Sequence, residues 1–231
     1  MKKFLFRWLR RVVWVALALA FGLQLWFFAH VLWWRSFNPT ETSFMRLARA
    51  ELRLKQPQAQ LAHQWVPYER ISVHLKRAVV ASEDSHFVEH SGFDWQGIQH
   101  ALEKNLARGK TRSGGSTITQ QLAKNLFLSP SRSYLRKAQE AIITVMIEAL
   151  WSKRRILEVY LNVAQWGEGV FGAEAAARHY YQIPAARLGP YEGARLATIL
   201  PSPRRYGRFF GPAQKARANR LLAWMSGTRI P

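Results

Sequence analysis

The stretch Tyr134 to Trp151, YLRKAQEAIITVMIEALW, decides the fold. It contains neither glycine nor proline, and from Ala141 onward it is apolar on nearly every face, which marks a helix buried on most sides. Toward the N-terminus, Thr117 to Leu128 reads as a helix with Ile118, Leu122 and Leu126 on one stripe. Before it, Trp95, Ile98, Leu102 and Leu106 recur at steps of three and four up to Gly109, a fitting C-cap, and an apolar helix covers Ile71 to Ala81. Toward the C-terminus, helices are expected at Lys153 to Asn162, Ala173 to Gln182, Tyr191 to Leu200 and Ala213 to Ser226, with Pro190 and Pro212 where first-turn prolines belong. No alternating run bounded by turns reads as a strand. The expected fold is all-α and compact.

The chain's 231 residues suffice for one domain of moderate size plus a short appendage, but not for two catalytic domains. The absence of cysteine excludes disulfides, thiolate catalysis and cysteine-ligated zinc. A net charge of +20 predicts a polyanionic partner, whether nucleic acid, an acidic lipid surface or a phosphorylated substrate. The N-terminus narrows that choice. Val12 to Trp34 carries no Asp, Glu, Lys or Arg and is long enough to span a bilayer. A cleavable signal is the competing reading, but the run exceeds a usual signal core and no small-x-small cleavage site follows it. Lys2, Lys3, Arg7, Arg10 and Arg11 precede it without an acidic residue, which places the N-terminus in the cytoplasm and everything after Trp34 outside. Most of the positive charge then belongs to the exported part, and nucleic acid is set aside as a partner. Residues 1–11 are read as a cytoplasmic basic segment, 12–34 as a transmembrane helix, 35–64 as a stalk and 65–231 as the catalytic domain.

Three constellations carry polar chemistry. Ser82 to Asp94 (SEDSHFVEHSGFD) crowds ionisable groups beside an apolar helix, as at a cleft edge or a capped, solvated helix end. His86 and His90 are four apart, but the H-E-x-x-H order of zinc proteases is absent. Gly114 to Asn125 (GGSTITQQLAKN) is a glycine-rich loop running into a helix, and Thr117 with Gln120 has capping-box spacing. Free amides at that helix start, with Lys124 further along, suit an anionic phosphate; an ordinary amphipathic helix with a solvated lysine reads equally well. In the third constellation Glu140 follows Arg136 at the head of the apolar helix, where an unpaired carboxylate is costly. Arg136 one turn back would make a structural ion pair, whereas a partner from elsewhere, such as Lys124, would make it functional. Gly167 to Gly172 matches G-x-G-x-x-G, but without a preceding strand it reads as a tight connection.

Taken together, E-D-x-x-F-x-x-H-x-G-x-D at Glu83 to Asp94, G-G-S-T-I-T-Q-Q-L-x-K-N at Gly114 to Asn125 and R-K-x-x-E at Arg136 to Glu140 strongly resemble the family 51 glycosyltransferases, which include the glycosyltransferase domains of class A penicillin-binding proteins. The likeness continues through Ile156 to Asn162, Gly167 to Gly172 and Leu196 to Pro203. Length and the single anchor resemble the monofunctional members, and no S-x-x-K transpeptidase motif is present.

The resemblance implies an α-helical, lysozyme-like glycosyltransferase domain with a membrane-facing jaw, preceded by one transmembrane helix. It implies that lipid II and the growing glycan strand are the substrates, at a bacterial inner membrane with the catalytic domain in the periplasm. Glu83 would be the general base that takes the proton from the acceptor sugar's 4-hydroxyl, and Glu140 the second catalytic-site glutamate. Lys124 and Arg132 would bind the pyrophosphate, Ser116, Gln120 and Gln121 would line the donor site, and Asp84 and Phe87 would surround the base. The expectation includes no organic cofactor. A divalent cation, Mg2+ or Mn2+, at Asp84 or Glu83 is compatible with it, and membrane lipids and other cell-wall synthesis proteins are the further partners. A base on one side of the anomeric carbon and cations on the other suit a pyrophosphate leaving group, whereas a hydrolase needs a proton donor and has no use for a cationic cradle. A lytic muramidase of lysozyme-like fold and a catalytically silent membrane scaffold are the alternatives.

Overall fold

The structure is a computed structural model describing residues 2–108, 115–131 and 133–231. Nothing between Lys2 and Trp34 breaks a helix except the tolerated Gly22, so α1 (Lys2–Trp34) runs for 33 residues. At 1.5 Å per residue that is roughly 50 Å, enough to cross a hydrocarbon core of about 30 Å. Over Phe6–Trp34 it is long and apolar enough to be a membrane anchor.

The chain divides after Asn38 into two compact units. The second holds ten further helices among the described residues: α2 (Ser43–Lys55), α3 (Val73–Glu83), α4 (Trp95–Arg108), α5 (Ile118–Phe127), α6 (Tyr134–Leu150), α7 (Lys153–Val163), α8 (Ala173–Tyr181), α9 (Pro190–Ile199), α10 (Pro203–Arg208) and α11 (Pro212–Trp224). Every expected helix is present, and where both ends are described they fall within two residues of expectation. Gly109, read as a C-cap, lies outside the described residues. Pro190 and Pro212 do open α9 and α11. The stretch read as a stalk contains α2, which packs against α5 inside this unit, and a strand described below.

Two helix groups make the core. In one, α3 packs on α9 and α9 on α11; in the other, α5 packs on α6 and α7. Gly193 lets α9 approach the α3 backbone, since a Cβ there would lie 2.9 Å from the carbonyl carbon of His74. Leu75 and Val79 of the first group and Ile118, Leu122, Ile143 and Ile147 of the second are fully buried.

Two expectations need correction. Strands do occur: β1 (Ala62–His63), β2 (Gln165–Gly167) and β3 (Val170–Phe171) form a small sheet in the order β1-β3-β2, with β1 parallel and β2 antiparallel to β3. Strands of two or three residues are too short to display a period, and Gly169, at φ +71°, makes the turn between β2 and β3. The second correction concerns α6, which is not buried on most sides. Leu135, Ala138, Ile142, Val145 and Ala149 form an exposed stripe at steps of three and four, with Leu135 86% and Val145 56% exposed. An apolar sequence cannot say whether protein or something else covers a helix face.

Candidate active site

The first and second motifs are clipped together by Asp84. At the C-cap of α3, its Oδ1 accepts a hydrogen bond from His90 Nε2 at 2.8 Å and its Oδ2 accepts one from the backbone N–H of Ile118 at 3.0 Å. His90 Nδ1 accepts from the Gly92 amide, which fixes the tautomer that donates to Asp84. Gly92 sits at φ +90°, and its carbonyl accepts from Thr117 Oγ1 at 2.7 Å. Thr117 and Gln120 form the capping box at the start of α5. One turn of loop and one helix start are thereby locked beside Glu83.

Glu83 is half-buried at the end of α3 and faces an open cleft of about 450 Å³, whose lining includes Asp84, Ser85, Asp94, Ser116 and Thr117. Its Oε2 accepts from Gln121 Nε2 at 2.9 Å, and Gln121 Oε1 accepts in turn from the buried Tyr160 hydroxyl at 2.9 Å. Burial raises the Glu83 carboxyl above the ordinary carboxylate range, opposed by the Gln121 hydrogen bond and the Arg217 charge. Burial also holds the Tyr160 phenol well above its usual value, so it stays a neutral donor and turns the Gln121 amide with its N–H groups toward Glu83.

Glu140 is buried on α6 and pairs with two cations of its own helix, Arg136 Nη1 at 2.6 Å and Lys137 Nζ. The structural ion pair with Arg136 is therefore present, with Lys137 as an additional partner. Lys137 Nζ also reaches Ser116 Oγ at 3.3 Å, joining this helix to the cleft lining. Lys124 has no carboxylate within 4.0 Å among the described residues, yet it lies close enough to feel both Glu140 and Glu83. Desolvation lowers its pKa, Glu140 opposes that, and Arg136 and Lys137 add to it. The result is a half-buried lysine at the edge of a cationic cluster.

Of the expected site residues, Glu83, Asp84 and Ser116 line the cleft, Gln121 joins them through its hydrogen bond to Glu83, and Lys124 with Glu140 makes an adjoining charged cluster. Gln120 does not line the cleft: it is buried, and its Oε1 accepts from the Thr117 amide. Phe87 is fully buried, with Lys153 Nζ 4.6 Å from its ring centroid, so it supports the motif from within the core. Arg132 and Gly114 lie outside the described residues. Tyr160, Lys137 and Arg217 were missed. A tyrosine within an apolar helix needs a partner for its hydroxyl, which was a usable signal for Tyr160; Arg217 offered none, since only folding brings α11 to Ser82.

The cation expectation fits Asp84 poorly. Both its oxygens are already engaged and its side chain is 1% exposed. His86 and His90 face different carboxylates, Asp94 and Asp84, and among the described residues no group of three His, Asp or Glu could hold a metal ion.

Fold and cleft together define a helical enzyme domain in which one half-buried carboxylate stands near a cationic cluster. A family model described as Transglycosylase matches residues 51–226. The chain is 65% identical over 229 residues, covering 99% of both chains, to a biosynthetic peptidoglycan transglycosylase of Azoarcus sp. (strain BH72). Proteins of the same description from Aromatoleum aromaticum and Thiobacillus denitrificans are 62% and 59% identical, over 96% and 98% of both chains respectively. The chain belongs to the transglycosylase family and is a peptidoglycan glycosyltransferase.

Proposed function

We propose that this enzyme polymerises lipid II. Glu83 takes the proton from the acceptor's 4-hydroxyl, whose oxygen attacks the donor's anomeric carbon, inverts it from α to β and displaces undecaprenyl pyrophosphate. Lys124, joined by Arg132, neutralises the charge that develops on the leaving pyrophosphate. Glu140 orders the cationic cluster through Arg136 and Lys137. The observation that carries this reading is Glu83 itself. It is a carboxyl whose pKa is raised by burial, oriented by Gln121 at the wall of an open cleft, with Lys124 in electrostatic reach. No step passes through a cation.

The same reading assigns residues 12–34 to a single span of the bacterial inner membrane, with residues 1–11 in the cytoplasm and the catalytic unit, which begins after Asn38, in the periplasm. The exposed stripe of α6 meets membrane lipid, which explains an apolar face that water would not favour. Incubating the purified chain with labelled lipid II and sizing the product tests the activity. Long glycan with release of undecaprenyl pyrophosphate is expected. Untouched lipid II, with fragments released from finished sacculi, would favour the muramidase instead.

A further inference from the structure

A second concavity of about 560 Å³ adjoins the cleft at the end of α3. Its lining is Ala81, Ser82, Arg217, Arg220, Leu221 and Trp224, of which Ala81 and Ser82 also line the cleft of Glu83. The other four lie on α11 at spacings of three, one and three, so a single face of that helix makes the wall. Arg217 Nη2 donates to Ser82 Oγ at 3.3 Å. Among the described residues neither Arg217 nor Arg220 has a carboxylate within 4.0 Å, although eight other arginines do. Ala81 and Leu221 are buried beneath them, and Trp224 stands 51% exposed at the edge.

Two planar guanidinium groups over an apolar floor, beside an exposed indole, suit a ligand that is part carboxylate and part organic body. The fork of an arginine matches a carboxylate's two oxygens, and the indole face covers a sugar or aliphatic segment. No residue of α5 or α6 lines this hollow, so it is separate from the lysine and arginine cluster assigned to pyrophosphate. Peptidoglycan precursors carry a peptide with free carboxylates on the sugar next to the one being joined. We propose that Arg217, Arg220 and Trp224 form a subsite for the carboxylate-bearing peptide of the acceptor substrate. This rests on the reading that Glu83 serves the acceptor hydroxyl, because the hollow shares Ala81 and Ser82 with the cleft of Glu83.

The test compares lipid II bearing free peptide carboxylates with the same lipid amidated at those carboxylates, using the full chain in detergent. A charge-assisted contact of about 1.5 kcal/mol corresponds to roughly tenfold in affinity. Amidation should therefore raise the wild-type KM about tenfold with kcat nearly unchanged. Arg220→Glu should raise KM similarly on the free acid and leave the amidated lipid nearly unaffected, whereas Trp224→Ala, which removes the apolar cover, should raise KM on both lipids. Equal KM for the two lipids in the wild type, equal losses on both in Arg220→Glu, or an unchanged KM in Trp224→Ala would overturn the subsite. So would an Arg220→Glu protein that binds phosphatidylglycerol vesicles less well but keeps its KM, since the arginines would then serve the lipid surface. Retention of the two radiolabelled lipids by immobilised Glu83→Gln protein repeats the comparison without turnover. A preference for the free acid there, with no polymerisation by the wild type, would uphold the subsite while sinking the role of Glu83.

Discussion

At the scale of single residues, Glu83 is held where charge is disfavoured, and two measurable consequences follow. A base works when deprotonated, so the acid limb of kcat/KM should lie above the ordinary carboxylate range, and Glu83→Gln should abolish polymerisation in a folded protein. The same burial acts on stability. Because the folded pKa is raised, the folded state binds more protons than the unfolded one between the ordinary value and the raised one. Stability therefore falls as pH climbs through that window, and the full penalty remains above it. Glutamine carries no such penalty, so Glu83→Gln should melt higher than wild type at neutral pH, with the gap closing as pH drops below the ordinary carboxylate range. Equal melting temperatures at all pH values would show that the carboxyl is not desolvated. Tyr160 is a positioning residue acting through Gln121. Tyr160→Phe frees the amide that lowers the Glu83 pKa, so the acid limb of kcat/KM should move to higher pH. A lower rate with an unmoved limb would mean that Tyr160 only fills space.

At the scale of elements, α5 begins with a capping box that was legible from T-x-x-Q spacing, while the donor-site role of Gln120 came only from resemblance. The two readings differ in what a substitution does. Gln120→Ala leaves the buried Thr117 amide unsatisfied, which should cost about 1–2 kcal/mol of stability and shift a denaturation midpoint, with KM unchanged. A raised KM at unchanged stability would restore Gln120 to the substrate site. The exposed stripe of α6 makes a second case. Leu135→Glu with Val145→Glu should leave the melting temperature nearly unchanged, since both are exposed, but weaken attachment of the second unit to anionic vesicles several-fold. Unchanged vesicle binding would leave that face without a bilayer role.

At the scale of the whole molecule, the anchor and the catalytic unit are separable by their contacts, since the chain divides after Asn38. Deleting residues 1–38 should leave a folded enzyme, active on detergent-dispersed lipid II and slower on the same lipid in vesicles, because tethering chiefly raises effective concentration. Its residual vesicle binding should weaken as salt screens the basic surface. A folded but wholly inactive truncation in detergent would place the anchor in the active site.

By itself the sequence determined the helices, the anchor and the capping box, because each depends on neighbours within a turn or two of the chain: apolar steps of three and four, an uncharged run, a threonine three residues before a glutamine. It could not separate Phe87 in the core from Ser116 on the cleft, although both sit within motifs, since burial depends on what arrives from elsewhere. Nor could it link Tyr160 to Glu83, across α3, α5 and α7, or bring Arg217 of α11 to Ser82. Tertiary packing alone made those contacts. The charge and orientation of the candidate base depend on desolvation and on donors distant in sequence, quantities that do not exist until the helices have packed.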